Sequence, residues 1–208
     1  MMRTVIACVL AAIGAHAAAS WLTLGFQVWT AEGARRLEVA LAPVPAPAVQ
    51  VVGPGVAPGQ SLPAVLADGR SVTIVDFIYT RCETVCLSLG TTFQQLQAAL
   101  QADGPGPPVR LASISFDPRD GTQDLQAYAA RLGAGPAWRF LRAADAPQTA
   151  RLLAAYQVTV VPRGPDFEHN AALLVVDPQG RLVRVFDLAE QQLALDYARH
   201  LARSGPSP

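Results

Sequence analysis

The alternation of apolar and polar positions divides the chain into three regions. After Arg3 no formal charge occurs from Thr4 to Ala31, about 28 residues against the ~20 that a helix needs to cross a bilayer. From Leu41 to Pro63 the chain is again uncharged, but it is built from Pro, Ala, Val and Gly, with prolines at 43, 45, 47, 54, 58 and 63. That composition predicts an extended polyproline II spacer that resists both helix and sheet. Beyond it, strand and helix periods alternate. Ser71 to Tyr79 is a β-branched and aromatic run that predicts a central strand. Residues 84 to 101 place Val85, Leu89, Phe93, Leu96 and Leu100 on one helical stripe. Val109 to Phe116 reads as strand, Thr122 to Leu132 as helix, Trp138 to Leu141 as a short apolar piece, and Pro147 to Tyr156 as a third helix. Ala171 to Val176 and Leu182 to Phe186 flank the turn signal Asp177-Pro178-Gln179-Gly180, and Glu190 to Arg203 closes as an amphipathic helix.

Composition narrows the chemistry. The 208 residues are 51% hydrophobic and 15% charged, which suits one globular domain with an appendage. The formal net charge is +0, so no basic field attracts a nucleic-acid backbone. All 16 basic residues are Arg, which removes phosphate-binding loop lysines and Schiff-base chemistry. Both methionines lie at positions 1 and 2, so soft-metal chemistry must rest on the 3 Cys and 3 His.

The uncharged N-terminal run has two readings. Ala15-His16-Ala17 and Ala17-Ala18-Ala19 resemble cleavage sites of a signal peptide. An uncleaved anchor is preferred, because cleavage there leaves Trp21, Leu22, Leu24, Phe26, Val28 and Trp29 at a mature N-terminus, whereas Trp suits the end of a span. Cys8 follows too short a leader for a lipoprotein signal and is expected to be an apolar residue of the span.

Cys82 and Cys86 stand at i and i+4 at a strand-to-helix junction, on one helical face about one turn apart. A helix N-terminus and the adjacent Arg81 favour the thiolates, which are the metal-binding form. The order of strands and helices is that of a thioredoxin-like domain, an α/β mixed sheet flanked by helices. In open α/β sheets the ligand site lies beyond the carboxyl ends of the strands, where Cys82 falls. His169, just before the strand expected from Ala171, gains interest because the loop entering that strand in such domains faces the redox motif. Two thiolates and an imidazole suit Cu(I), with Cu(II) accommodated if another ligand or water joins, and Zn also accepts such a set. Asp117 and Asp120 are read first as a turn and an N-cap before Thr122, and second as groups approaching the site. Asp76, six positions before Cys82, is equally a satisfied strand-edge residue or a buried proton acceptor for thiol-disulfide exchange. His200 is read as solvated, and His16 has no visible partner.

Three ordered segments, Asp76-Phe-Ile-Tyr-Thr-Arg-Cys-Glu-Thr-Val-Cys86, Ser115-Phe-Asp-Pro-Arg-Asp120, and Asp166-Phe-Glu-His169 followed by Leu174-Val-Val-Asp-Pro-Gln-Gly-Arg181, together resemble the SCO/SenC family. The resemblance covers residues 60 to 203. It departs from the family pattern at Glu83 and Leu87, where Pro is frequent, and at Asn170, where Ser is common. It implies a membrane-tethered thioredoxin-fold protein that binds copper through Cys82, Cys86 and His169. It also implies assistance to the assembly of the Cu(A) centre, borne by a subunit of cytochrome c oxidase. The expected organisation is an anchor or signal peptide over 1–36, a Pro/Ala-rich linker over 37–63, the thioredoxin-like domain over 64–203 and a tail over 204–208. The expected location is the inner membrane of a bacterium, with the domain in the periplasm. The competing function is a periplasmic thiol-disulfide oxidoreductase acting on partner cysteines through Cys82 and Cys86, without obligatory copper. A peroxidase fits less well, because Tyr79 stands where such enzymes carry Thr.

Overall fold

The computed structural model describes residues 2–23, 25–26, 28–81, 85–104, 108–164 and 166–204, with the side chains of 85–89 excepted. In chain order the elements are α1 (Met2–Leu22), α2 (Ala31–Leu41), β1 (Val44–Pro45), β2 (Val51–Val52), α3 (Leu62–Leu66), β3 (Val72–Ile78), α4 (Val85–Ala102), β4 (Val109–Ser115), α5 (Thr122–Arg131), β5 (Trp138–Ala143), α6 (Ala146–Ala155), β6 (Val160–Arg163), β7 (Asp166–His169), β8 (Leu173–Val176), β9 (Arg181–Phe186) and α7 (Gln191–Ser204). A single 3₁₀ turn, Leu188–Glu190, leads into α7.

Seven strands form one sheet in the order β1-β9-β8-β3-β4-β5-β2, and β6 pairs with β7 separately. The middle of the sheet, β3-β4-β5, is parallel, with α4 and α5 as crossovers, while β8, β9 and both edges are antiparallel. This is the mixed α/β, thioredoxin-like architecture expected from the element order. β3 is buried along its whole length. Its odd positions, Val75 and Phe77, enter one apolar layer with Ile114, Leu152, Tyr156 and Leu174, and its even positions, Ile74 and Ile78, enter the other with Phe93, Leu96, Leu125 and Leu195. A strand covered on both faces has no reason to alternate in polarity, which is why its sequence reads as a continuous apolar run. The Asp177-to-Gly180 turn closes with Gly180 donating to the Asp177 carbonyl at 2.9 Å. Gly180 has a φ of +78°, a conformation that side-chain-bearing residues rarely adopt.

Residues 37–63 do not run as a free spacer. Val44 lies opposite Leu182 and Pro45 opposite Arg181, while Val51 lies opposite Ala143 and Val52 opposite Arg142. Gln50 bridges to Ser61, and Val49 and Val51 are core residues. The prolines are compatible with this because β1 and β2 are the two outer strands of the sheet, where a missing N–H costs no ladder bond. The apolar N-terminal run is likewise shorter than its uncharged stretch. The helix α1 has 21 residues and ends at Leu22, about 31 Å at 1.5 Å per residue, and it is long and apolar enough to cross a membrane. Residues 31–41 form a second, amphipathic helix, with Thr30 accepting a hydrogen bond from the Gly33 amide as its N-cap.

Asp76 is the one carboxylate on β3. It is 1% exposed, in the middle of the sheet and not at its edge. The Ser113 hydroxyl hydrogen-bonds it, and Ser113 Oγ in turn accepts from Trp138 Nε1 at 2.9 Å. Its Oδ1 is buried with no partner among the described residues. Burial outweighs the Ser113 bond and raises its pKa to about 7. In the unfolded chain the group titrates near its ordinary value of 3.8. Between those values the native state holds a proton that the unfolded chain has released, so stability is full at low pH and is lost as pH rises toward 7. Asp76→Asn is therefore expected to flatten this fall and to be the more stable protein at pH 8, by on the order of 2–4 kcal/mol. Urea unfolding of both proteins between pH 4 and 8 checks this, and parallel curves would refute it.

Candidate functional site

The site lies beyond the carboxyl ends of β3 and β4. Of its three expected ligands, Cys82 lies outside the described residues, and Cys86 is the second residue of α4, its side chain also outside them. His169 is described fully. It ends β7 and does not occupy a loop before the next strand, which begins at Leu173. In β7, Phe167 and His169 are half-buried while Asp166 and Glu168 are exposed, a period of two, and Gly164 stands at the turn. Val160 lies opposite His169 across this hairpin.

An aromatic cluster seats the hairpin on the sheet. Tyr79, at the end of β3, meets Phe167 edge-on with centroids 5.2 Å apart, and Phe116, at the end of β4, meets Phe167 at 5.5 Å and His169 at 5.1 Å. Each such pair contributes about 0.5–1.5 kcal/mol beyond area burial. His169 Nε2 lies 3.0 Å from the Phe77 carbonyl. A carbonyl only accepts, so Nε2 carries the proton and Nδ1 the lone pair. Burial lowers the His169 pKa and so favours a neutral ring, and it outweighs the Phe77 bond, which acts to raise the pKa. An imidazole with one nitrogen tied to the backbone and the other holding a lone pair is the usual state of a metal-ligating histidine.

The segment leading to Cys82 is fixed by carboxylates. Asp120 is 0% exposed. Its Oδ2 accepts from the Thr80 amide at 2.9 Å and from Ser115 Oγ at 2.6 Å, and its Oδ1 accepts from Thr80 Oγ1 at 2.6 Å. Thr80 is thus clamped two residues before Cys82. Asp117, also buried, receives Arg81 Nη2 at 2.6 Å and Arg119 Nη2 at 2.8 Å. Burial acts to raise the Asp117 pKa, but the Arg119 and Arg81 contacts outweigh it and hold the carboxyl below its usual range. The reading of this pair as turn and cap is corrected in part. Asp117 does form the turn, its carbonyl accepting from the Asp120 amide at 3.1 Å, but the N-cap of α5 is Gly121, closed by Asp124. Sequence reasoning missed the clamp and the roles of Tyr79, Phe116 and Phe167. The signal available was the polar Ser115 and Asp120 bracketing a strand end.

The other histidines stand apart. His200 is exposed on α7, its carbonyl accepting from Ser204 Oγ at 2.9 Å. His16 on α1 does have a neighbour, the Phe26 ring, with centroids 5.2 Å apart. Cys8 is free and exposed on α1. Among the described residues no three His, Cys, Asp or Glu side chains cluster as a metal site.

Comparisons with known proteins bear on the family and the fold. The SCO1/SenC family model matches residues 59–203. A SCO1 protein homolog of Bacillus subtilis (strain 168) is 29% identical over 124 residues, which is 57% of this chain and 63% of that relative's length. The copper-bound structure of ScoI from Bradyrhizobium japonicum superposes with a TM-score of 0.60 at 22% identity, over 76% of this chain and 99% of that one. BsSco, a member of the Sco family of cytochrome c oxidase assembly proteins in which a disulfide switch was identified, superposes with a TM-score of 0.64 at 21% identity, over 78% of this chain and 95% of that one. With 59–203 matched and the thioredoxin-like sheet in place, this chain belongs to the SCO1/SenC family.

Proposed function

We propose that the protein is a membrane-anchored copper metallochaperone that holds copper with Cys82, Cys86 and His169 and serves the Cu(A)-bearing subunit of cytochrome c oxidase. The anchor is α1, in the inner membrane of a bacterium, and the domain faces the periplasm. The observation that carries this reading is the His169 ring, neutral, tied at Nε2 to the Phe77 carbonyl and with its lone pair on Nδ1. A redox dithiol has no need of that imidazole. Copper is cargo, and the donor set fits it: two thiolates with one imidazole satisfy a soft monovalent ion at three positions, and a recipient can replace them one at a time without releasing free metal. The copper-bound relative and the oxidase-assembly relative support the cargo and the recipient respectively.

A thiol-disulfide exchange role remains the second reading, supported by Asp76. A buried carboxyl with a pKa of about 7 in the strand that leads to Cys82 is suited to accept a proton near neutral pH. The disulfide switch identified in BsSco points the same way.

Anaerobic Cu(I) titration of the reduced protein against a competing chelator tests the first reading. One copper per chain is expected, with Cys82→Ser and Cys86→Ser abolishing tight binding. His169→Ala should weaken it by more than the 10- to 100-fold typical of losing an outer-sphere partner. Affinity indifferent to His169 would overturn the proposal in favour of the oxidoreductase. Asp120→Ala strands the Thr80 amide, so it is expected to destabilise the fold by about 1–3 kcal/mol. The same change should weaken copper about tenfold with stoichiometry preserved. Asp120→Asn, which retains one acceptor for the Thr80 amide, should fall between it and the wild type in both denaturant unfolding and titration.

A further inference from the structure

The path of the chain between α1 and the sheet sets which end of the domain is tied to α1. Helix α2 begins beside the site and ends at the opposite pole. At its start, Glu32 Oε2 accepts from Asn170 Nδ2 at 3.4 Å, one residue from His169. At its far end the chain enters β1, and the Ala46 amide donates to the Gly180 carbonyl at 2.8 Å, in the β8–β9 turn. That turn lies by the beginning of β3, because Thr73 faces Val176. So α2 runs along the sheet from the site end to the distal end.

The helix is held firmly. Arg35 is 2% exposed, with Nε donating to the Tyr156 carbonyl at 3.1 Å and Nη1 to Glu32 at 3.1 Å. Val39 is buried in the core layer, Arg36 pairs with Glu190 at 3.0 Å, and Gln157 donates to Glu38 at 3.1 Å. Between the end of α1 at Leu22 and the start of α2 at Ala31 the chain has nine steps, a reach of at most about 30 Å even if fully extended. Turn bonds shorten it, with the Val28 amide donating to the Thr23 carbonyl at 3.0 Å and the Phe26 amide to Thr23 Oγ1 at 3.0 Å. The exposed Trp21 and Trp29 bracket this segment, as aromatic side chains do at a bilayer surface.

We propose that α2 is a rigid strut that holds the His169 end of the domain toward the bilayer, within about 30 Å of its surface. With α2 packed along the sheet, the tether is reduced to the nine steps between Leu22 and Ala31, attached at the His169 end. The recipient is therefore a protein of the same membrane whose acceptor thiols or imidazoles stand at that height, and free-swimming periplasmic proteins are disfavoured. This inference rests on the reading of α1 as an anchor.

The test uses the full chain reconstituted in phosphatidylcholine vesicles that carry an acceptor dye on the lipid headgroup. A donor dye is attached through a click-reactive side chain introduced at Arg163, on the hairpin that carries His169, or at Gln179, at the distal turn. The two positions differ in height by roughly the 23 Å of a seven-residue strand, so transfer from position 163 should exceed that from 179 by more than about twofold. Inserting a flexible Gly/Ser segment of about 20 residues between Thr30 and Ala31 should remove the difference while copper stoichiometry stays unchanged. Arg35→Ala, if it folds, should reduce the difference. Equal transfer from the two positions in protein that co-floats with the vesicles overturns the strut alone and leaves the anchor standing. Protein that fails to co-float overturns the anchor and the strut together.

Discussion

The Phe77 carbonyl is the point on which the site depends. Along β3 the even residues direct their carbonyls toward β4, as the bond from the Phe116 amide to the Ile78 carbonyl shows. The odd residues therefore face β8. That ladder ends where Val75 meets Leu174, because β8 begins only at Leu173. Phe77 is buried and its carbonyl has no strand beside it, a state that costs as much as a lost hydrogen bond unless a donor is supplied. His169 Nε2 supplies it. The requirement of the sheet for a donor thus selects the tautomer of the imidazole, and the tautomer leaves the lone pair on Nδ1. Under the proposed function, the bond that satisfies the sheet is also the bond that prepares the imidazole to receive copper.

The surrounding groups serve that geometry. Tyr79, Phe116 and Phe167 form an apolar seat that keeps the hairpin from sliding along the sheet. The Asp120 clamp on Thr80 fixes the point from which the chain turns toward Cys82. One device places the imidazole, and the other fixes Thr80, two residues before Cys82.

Much of this was legible in the sequence, for identifiable reasons. The elements β3, α4, β4, α5, α6, β9 and α7 follow apolar periods that tertiary packing does not overrule. Of the expected set Cys82, Cys86 and His169, the structure describes the place of His169 and the backbone of Cys86. The edge strands β1 and β2 were hidden, because each is two residues long in a proline-rich stretch, and the Pro45 of β1 argues against a strand unless the strand is known to be outermost. The hairpin of β6 and β7 was hidden by its length of four residues per strand, too short to separate alternation from chance. Helix α2 was hidden because Arg35 reads as a surface charge and only its partners, the Tyr156 carbonyl and Glu32, explain its burial. The Asp120 clamp joins residues 40 apart, and no local pattern reports such a pair.

The most direct test is the nitrogen-15 spectrum of the His169 ring in the reduced protein, before and after Cu(I) is added. The account predicts a protonated Nε2 and a bare Nδ1 in the metal-free protein, with the Nδ1 resonance alone displaced strongly on loading while Nε2 keeps its proton. A proton on Nδ1 in the metal-free protein, or an Nδ1 resonance that ignores copper, would contradict it.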